Sequence, residues 1–207
     1  MFKRIVGIAA CLFLVGCVSY PQGVGLEPAS AKHIHTKKNI WLKPAVIDAW
    51  KNSEDKNTAE TSMTLSLQKF LEETGSFEQV SVLPGKIADR DHVLNFRFKN
   101  FSVSRSAHPA YFPAAILTLT FYIWFNGPIY IDTININADL YVTDLAGKPV
   151  AEFSENINKE INVGFSDPEY YMPSGIRQRT AVVNGLVDQY LAFLQANKEL
   201  VNYEVGE

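Results

Sequence analysis

The 207-residue sequence is poor in several residue types that would point to a particular class of protein. It has only two cysteines, which excludes a disulfide-rich scaffold. Its 12 glycines and 10 prolines are scattered rather than periodic, which excludes a collagen-like or low-complexity chain. Because 47% of the residues are hydrophobic, the chain has enough apolar material for a core, and we expect it to fold.

Positive charge is also sparse. The 19 Lys and Arg residues are outnumbered by 22 Asp and Glu, giving a net charge of −3, and the sequence shows no basic stripe. Such a surface does not attract phosphate backbones, so we expect no binding to nucleic acids.

The sequence lacks the common catalytic motifs. Gly-x-Ser-x-Gly, His-Glu-x-x-His and a phosphate-cradling glycine-rich loop are all absent. His33 and His35 have no third metal ligand nearby, and the acid beside His92 is more typical of a charged turn. We therefore expect no catalytic residues, no metal, no cofactor and no enzymatic activity. A cleft that gathers His92 or His108 with acids would reopen the enzymatic alternative.

The N-terminus has the layout of a signal peptide. Lys3 and Arg4 precede an apolar run over residues 5–15, which at about 1.5 Å per residue covers roughly half of a ~30 Å hydrocarbon core. The following sequence, Leu14-Val15-Gly16-Cys17, resembles the lipobox of bacterial lipoproteins. The resemblance implies cleavage of residues 1–16 and acylation of Cys17, palmitate included, which would anchor the protein durably in a membrane.

Further expectations follow from this resemblance. Val18 is not the aspartate that implies inner-membrane retention in enterobacterial lipoproteins, so we expect the outer membrane, with the protein facing the periplasm. Pro and Gly residues without apolar periodicity predict a flexible tether over residues 17–38. Residues 39–200 would form a single domain, and residues 201–207 a C-terminal tail.

Hydrophobic periodicity predicts an α+β fold. We expect a twisted, mostly antiparallel sheet with two helices packed on one face. Helices are predicted from Asn57 to Gly75 and from Ser174 to about Gln195, the second with an apolar stripe on one face and Arg177 and Arg179 on the polar face. Alternating residues predict strands over 39–43, 77–83, 92–104, 134–142 and 153–165. The strand 92–104 changes parity near Asn100, and the last two strands are joined as a hairpin.

Residues 106–131 contain no Asp, Glu, Lys or Arg. Prolines interrupt this segment, and its Thr and aromatic residues favour strands, so we predict a long apolar central β-hairpin that turns at Asn126-Gly127. Its arms would be residues 114–125 and 129–142. Three interpretations stay open: a central strand covered on both faces, a surface that docks a partner, or a segment inserted into the membrane.

Exposed aromatic residues are the candidate contact sites. The acidic and aromatic loop 166–173 would form either a binding lip or a plug over the end of the sheet. Together with the predicted hairpin it gives these candidates for contact with a partner or ligand: Phe121, Tyr122, Trp124, Phe125, Tyr170 and Tyr171.

The remaining resemblance is one of architecture. The lipobox, the stretch Leu-Thr-Leu-Thr-Phe at 117–121 and Ala-Gly-Lys-Pro-Val at 146–150 resemble uncharacterised proteobacterial outer-membrane lipoproteins. The order of elements is loosely similar to penicillin-binding-protein activators, the lipopolysaccharide-assembly lipoprotein and auxiliary lipoproteins of ABC transporters. These resemblances imply a non-enzymatic adaptor that binds a protein partner in a cell-envelope complex. The alternative is a carrier of lipid or another hydrophobic ligand, with the same aromatics lining a cavity.

Overall fold

The computed structural model describes residues 18–19, 25–30, 34–48, 50, 53–84, 91–118, 121–171, 175–197 and 200–203. The predicted signal peptide and Cys17 lie outside these residues and stay predictions. The chain divides into two compact units. Unit 1 consists of Met1–Pro21, Val103–Ile134 and Asn158–Ser174, and unit 2 of Gln22–Ser102, Asn135–Ile157 and Gly175–Glu207.

Strands and helices are named in chain order. The strands are β1 Val18–Ser19, β2 Ile34–Thr36, β3 Asn39–Leu42, β4 Val46–Ile47, β5 Gln79–Val82, β6 His92–Ala107, β7 Pro128–Thr143, β8 Pro149–Gly164 and β9 Leu200–Tyr203. The helices are α1 Ser53–Glu73, α2 Tyr111–Leu117, α3 Phe121–Trp124, α4 Pro168–Tyr171 and α5 Gly175–Ala196.

The main sheet of the chain is mixed, and its strand order is β5-β3-β6-β7-β8. Strand β3 is parallel to both β5 and β6, and the short β4 is parallel to β6. Strands β7 and β8 form the predicted hairpin, in which the amide of Asp144 donates to the carbonyl of Lys148 at 3.0 Å and Gly147 adopts a φ of 79°. The predicted α+β class is confirmed.

Two long helices supply much of the core of unit 2. Helix α1 begins four residues before the predicted cap at Asn57 and is followed by Gly75, whose φ of 63° suits a residue without a Cβ. Helix α5 carries the predicted apolar stripe, whereas its predicted cap, Ser174, lies outside the described residues. The largest fully buried side chains include Ile40, Phe70, Leu71, Phe96, Phe98 and Tyr190.

Strand β6 shows the predicted change of parity near Asn100. Phe96 and Phe98 are buried at even positions, and Phe101 is buried at an odd one. The side-chain oxygen of Asn100 accepts a hydrogen bond from the amide of Phe101 at 2.8 Å. The switch therefore occurs where the alternation of polar and apolar residues placed it.

Parts of the predicted tether make contacts within unit 2. The amide of Glu27 donates to Thr180 Oγ1 at 2.8 Å, and the amide of Ala29 donates to Glu73 Oε2 at 2.9 Å. Strand β2 pairs antiparallel with β9. The flexibility of the whole 17–38 segment stays a prediction, but these described residues are fixed by hydrogen bonds.

The first arm of the predicted apolar hairpin is wrong. Residues 111–117 and 121–124 form the short helices α2 and α3, whereas the second arm is confirmed as part of β7. Helical backbone bonds, such as Thr118 N to Ala114 O at 3.0 Å, satisfy polar groups locally, which an arm projecting beyond the sheet could not do. Pro113 is tolerated because it lies in the first turn of α2, where its missing amide hydrogen has no helical partner.

Candidate functional site

Helices α2 and α3 present apolar side chains to solvent in unit 1. None of their described side chains is buried. Leu117, Trp124 and Phe125 are 83%, 82% and 84% exposed, which is unusual for such large apolar groups occurring together. We call this surface the apolar tip. Its members are Phe112, Ile116, Leu117, Phe121, Trp124 and Phe125, all of which are exposed.

Tyr122 fixes the base of the apolar tip. Its hydroxyl donates to the carbonyl of Pro128 at 3.3 Å, and its ring lies against Gly127 so closely that a Cβ there would overlap the ring. Thr118 joins the two helices, because its hydroxyl donates to Ala114 O at 2.8 Å and accepts from the amide of Tyr122 at 3.0 Å. The exposed side chains thus stand on a hydrogen-bonded base.

Asn126 connects the apolar tip to the loop that precedes α4. It adopts a φ of 54°, a left-handed conformation that asparagine tolerates better than most residues. Its side-chain amide donates to Asp167 Oδ1 at 2.9 Å and accepts from the amide of Ser166 at 2.8 Å. Gly164 lies so close to Asn126 that a Cβ would overlap it. This packing explains the glycine at position 164.

A second cluster in unit 1 is aromatic and partly polar. We call it the aromatic lip and define it as Tyr130, Phe165, Tyr170 and Tyr171. The ring centroid of Tyr170 lies 5.9 Å from that of Tyr130, 5.2 Å from that of Phe165 and 5.0 Å from that of Tyr171. The contacts with Phe165 and Tyr171 are edge to face. Tyr170 is half-buried within the cluster, whereas Tyr171 is 73% exposed.

A buried ion pair holds the aromatic lip in place. Arg105 and Asp132 are 5% and 0% exposed, and their two hydrogen bonds measure 2.5 and 2.7 Å. The guanidinium of Arg105 also donates to the carbonyls of Glu169 at 2.6 Å and Tyr170 at 3.3 Å, and it lies 5.2 Å from the ring centroid of Tyr130. One buried cation therefore fixes both the backbone of α4 and one ring of the lip.

The structure brings the six predicted contact residues into unit 1. Four belong to α3 and the residue after it, and two belong to α4. Phe121, Trp124, Phe125 and Tyr171 are exposed, whereas Tyr122 and Tyr170 are half-buried and support their neighbours. Ile116, Leu117 and Tyr130 lie in the predicted hairpin segment but were not among the six candidates, and the sequence did not indicate Phe112, Phe165 and the anchoring Arg105 as parts of this region.

Unit 2 contains a polar cluster of a different kind. Burial disfavours the charged form of Asp139, but hydrogen bonds from Lys99 at 2.5 Å, Ser154 at 2.9 Å and Tyr141 at 3.0 Å outweigh burial. The pKa of Asp139 therefore lies below its usual 3.8, and the same bonds raise the pKa values of Lys99 and Tyr141. The cluster is an ionised structural network on the sheet.

The histidine and acid noted before β6 also have structural partners. Asp91 accepts from Trp41 Nε1 at 2.8 Å and from the side chain of Asn39 at 3.1 Å, and His92 Nδ1 lies 2.8 Å from the hydroxyl of Tyr190. Within the described residues there is no group of three or more His, Cys, Asp and Glu side chains that could hold a metal ion.

Arg179 is a buried cation in unit 2. The amphipathic pattern placed it on the polar face of the last helix, but it is 4% exposed. Its guanidinium donates to the carbonyl of Gly25 at 3.3 and 3.4 Å and lies 4.8 Å from the ring centroid of Phe101. Burial lowers the pKa of Arg179 to about 10, so the group stays charged at neutral pH.

No family model matches the sequence, and no curated protein matches it. Among solved structures, the chain is similar to a Xanthomonas campestris protein of the DUF330 family, with 11% identity, a TM-score of 0.52 and coverage of 84% of this chain and 95% of that one. At this identity the likeness shows a shared fold.

Two bacterial lipoproteins are also among the matched structures. The minor lipoprotein of Acinetobacter baumannii has 12% identity and a TM-score of 0.36 over 81% of this chain and 98% of its own. Lipoprotein B of Nitrosomonas europaea has 9% identity and a TM-score of 0.39 over 83% of this chain and 94% of its own.

Within the described part of the chain, no helix has both the length and the hydropathy needed to cross a bilayer.

Proposed function

We propose that this protein is a lipid-anchored adaptor on the periplasmic face of the outer membrane. It binds a protein component of a cell-envelope complex and carries out no chemistry of its own. The observation that carries the adaptor role is the aromatic lip of unit 1, a cluster of rings that exposes Phe165 and Tyr171 and is fixed by the buried Arg105–Asp132 pair.

The anchor rests on the N-terminal sequence. The charged start, the apolar run and Leu14-Val15-Gly16-Cys17 together form a lipobox pattern. Three acyl chains on Cys17 would hold the protein to a membrane far more firmly than a single chain, whose binding is marginal. Val18 after the cysteine supports the outer membrane as the destination.

The chemistry of the aromatic lip suits a protein partner. Tyrosine and phenylalanine bury much apolar area with few rotatable bonds, and they are enriched at the energetic centres of protein interfaces. Arg105 holds the backbone of α4 before any partner arrives, so little ordering of that backbone remains to oppose binding. The exposed ring of Tyr171 is the side chain available to enter a pocket on the partner.

Site-specific photo-crosslinking tests the proposal. A benzophenone side chain is introduced at position 171 in cells, and a second is introduced at Leu65, an apolar residue of α1 that is 58% exposed, as the matched control. We expect one envelope protein to crosslink at position 171 and not at position 65. In a second experiment the crosslinker is at position 165. There, Tyr171→Ala should reduce the adduct with the same envelope protein at least tenfold.

Two results would count against the adaptor role. Identical adducts at positions 171 and 65 would show that the lip is not a specific surface. A lipid retained in stoichiometric amounts by the purified protein, seen in native mass spectrometry, together with no crosslinked protein, would favour the ligand carrier instead.

A further inference from the structure

We propose that the apolar tip enters the lipid bilayer to which the protein is anchored. The inference rests on the proposed lipid anchor at Cys17, and it assigns the tip a contact different from that of the aromatic lip. Both surfaces belong to unit 1, but their composition differs.

The composition of the tip fits hydrocarbon. The segment 106–131, which contains α2 and α3, carries no Asp, Glu, Lys or Arg. A single charge near the centre of a bilayer is costly, so a long charge-free stretch around exposed side chains is what insertion requires. Protein interfaces, by contrast, are enriched in arginine at their centre and have a polar rim.

The backbone of the tip also has local hydrogen bonds, which suit an apolar environment. Polar backbone groups need internal partners in lipid. Local bonds provide several of them, as from Phe125 N to Phe121 O at 3.3 Å and from the amide of Tyr122 to the hydroxyl of Thr118 at 3.0 Å. Trp124 and the half-buried Tyr111 and Tyr122 belong to the residue types that favour the membrane–water interface.

The position of the anchor relative to the tip supports the bilayer as the occupant. Strand β1 pairs antiparallel with β6, with Val18 opposite Arg105 and Ser19 opposite Ser104. The chain therefore enters β1 from the side on which β6 continues to Ala107 and then to α2. Cys17 directly precedes Val18, and neighbouring Cα atoms are about 3.8 Å apart. Val18, the residue that follows the proposed lipidation site, is thus paired in unit 1 beside the end of β6 that leads to the tip.

Trp124 is a built-in probe of this contact. The protein has three tryptophans, of which Trp41 and Trp50 are half-buried in unit 2. The mature lipidated protein is reconstituted in vesicles of phosphatidylethanolamine and phosphatidylglycerol that carry bromine on the acyl chains. Subtracting the emission of the Trp124→Phe variant isolates the Trp124 signal, and this conservative change at an exposed site leaves the fold intact.

We expect brominated lipids to quench the Trp124 signal at least twofold. We also expect aqueous iodide to quench this signal several times less when vesicles are present than in detergent-free solution without them. Leu117→Asp should reduce quenching by lipid bromine by more than half, because a charge enters the inserted surface. Leu65→Asp, on an exposed site of unit 2, should leave it unchanged.

Two outcomes would overturn the inference separately from the proposed function. If the protein floats with the vesicles while Trp124 remains open to iodide and unaffected by bromine, the anchor stands and the bilayer contact is wrong. If Trp124 is shielded only in native membranes that contain other proteins, the tip docks a protein. A protein that does not float at all overturns the lipid anchor and, with it, this inference.

Discussion

The helices of the two units differ in whether they bury or expose their large apolar side chains. In unit 2, α5 buries Val183, Leu186 and Leu194 completely or nearly so. In unit 1, none of the described side chains of α2 and α3 is buried, and Leu117 is 83% exposed. Apolar residues of unit 2 therefore stabilise the fold, whereas those of the apolar tip contribute to it little and are available for contacts outside the protein.

Unit 1 also contains a buried ion pair and an exposed hydrogen-bonded turn. The Arg105–Asp132 pair lies beneath the aromatic lip, and Asn126 binds the loop before α4. Buried polar groups position neighbouring elements strongly, because a missing partner leaves a desolvated group unsatisfied. Substitutions matched between the two units can separate these two sources of stability.

The largest effect is expected from breaking the buried ion pair. Arg105→Met leaves Asp132 buried without its cation and should lower the free energy of unfolding by about 3–5 kcal/mol, measured by urea denaturation. The matched control is Arg97→Met, which removes an exposed pair with Asp48 and should leave the denaturation midpoint unchanged. Equal effects of the two variants would contradict the role assigned to Arg105.

Truncation of a leucine compares the two kinds of apolar side chain directly. Leu186→Ala in unit 2 should lower the free energy of unfolding by about 3 kcal/mol, because a fully buried side chain leaves a cavity. Leu117→Ala in unit 1 should change it by less than about 0.5 kcal/mol. A comparable loss in the second variant would show that the apolar tip is part of a core.

A glycine variant tests the close packing between Gly164 and Asn126. Gly164→Ala places a Cβ against Asn126 and should lower stability by about 1 kcal/mol, while amide exchange of α3 becomes faster. Gly25→Ala is the control in unit 2, because no atom lies within 4 Å of the added Cβ. Unchanged exchange in α3 would contradict the close packing at Gly164.

The smallest effect is a pH dependence confined to unit 2. The pKa of Asp139 is lower in the folded protein than in the unfolded chain, so its ionised form stabilises the fold above pH of about 4. That contribution is lost as the pH falls through the folded pKa. Asp139→Asn should therefore show a smaller drop in denaturation midpoint between pH 7 and pH 3 than the wild type. An equal drop would contradict the assignment.

Sequence reasoning anticipated the parts of the fold in which local pattern and burial agree. Alternation at Ile134 and Ile136 marks a strand with one buried face, and the apolar period of α5 marks a helix that packs on the sheet. The same alternation misled at Leu117–Phe125, where Thr and aromatic residues suggested a strand. Most of the described residues there belong to α2 and α3, where local hydrogen bonds such as Phe125 N to Phe121 O at 3.3 Å satisfy the backbone.

Contacts between residues distant in sequence could not be anticipated. Arg179 looked exposed on a helical wheel, yet Gly25 and Phe101 cover it, and the sequence separation from Gly25 is 154 residues. Arg105 and Asp132 appeared only as the ends of the charge-free segment, although they form the support of the aromatic lip. Pattern identified the exposed aromatics, and their role in binding stays a prediction.

The proposed lipid anchor at Cys17 would hold unit 1 at the membrane, where both of its proposed contacts are made. Intact-mass spectrometry of the protein extracted from cell membranes tests it most directly. We expect a chain that begins at Cys17 and carries the mass of three fatty acyl chains. A chain that still begins at Met1, or a Cys17 without acyl groups, would contradict it.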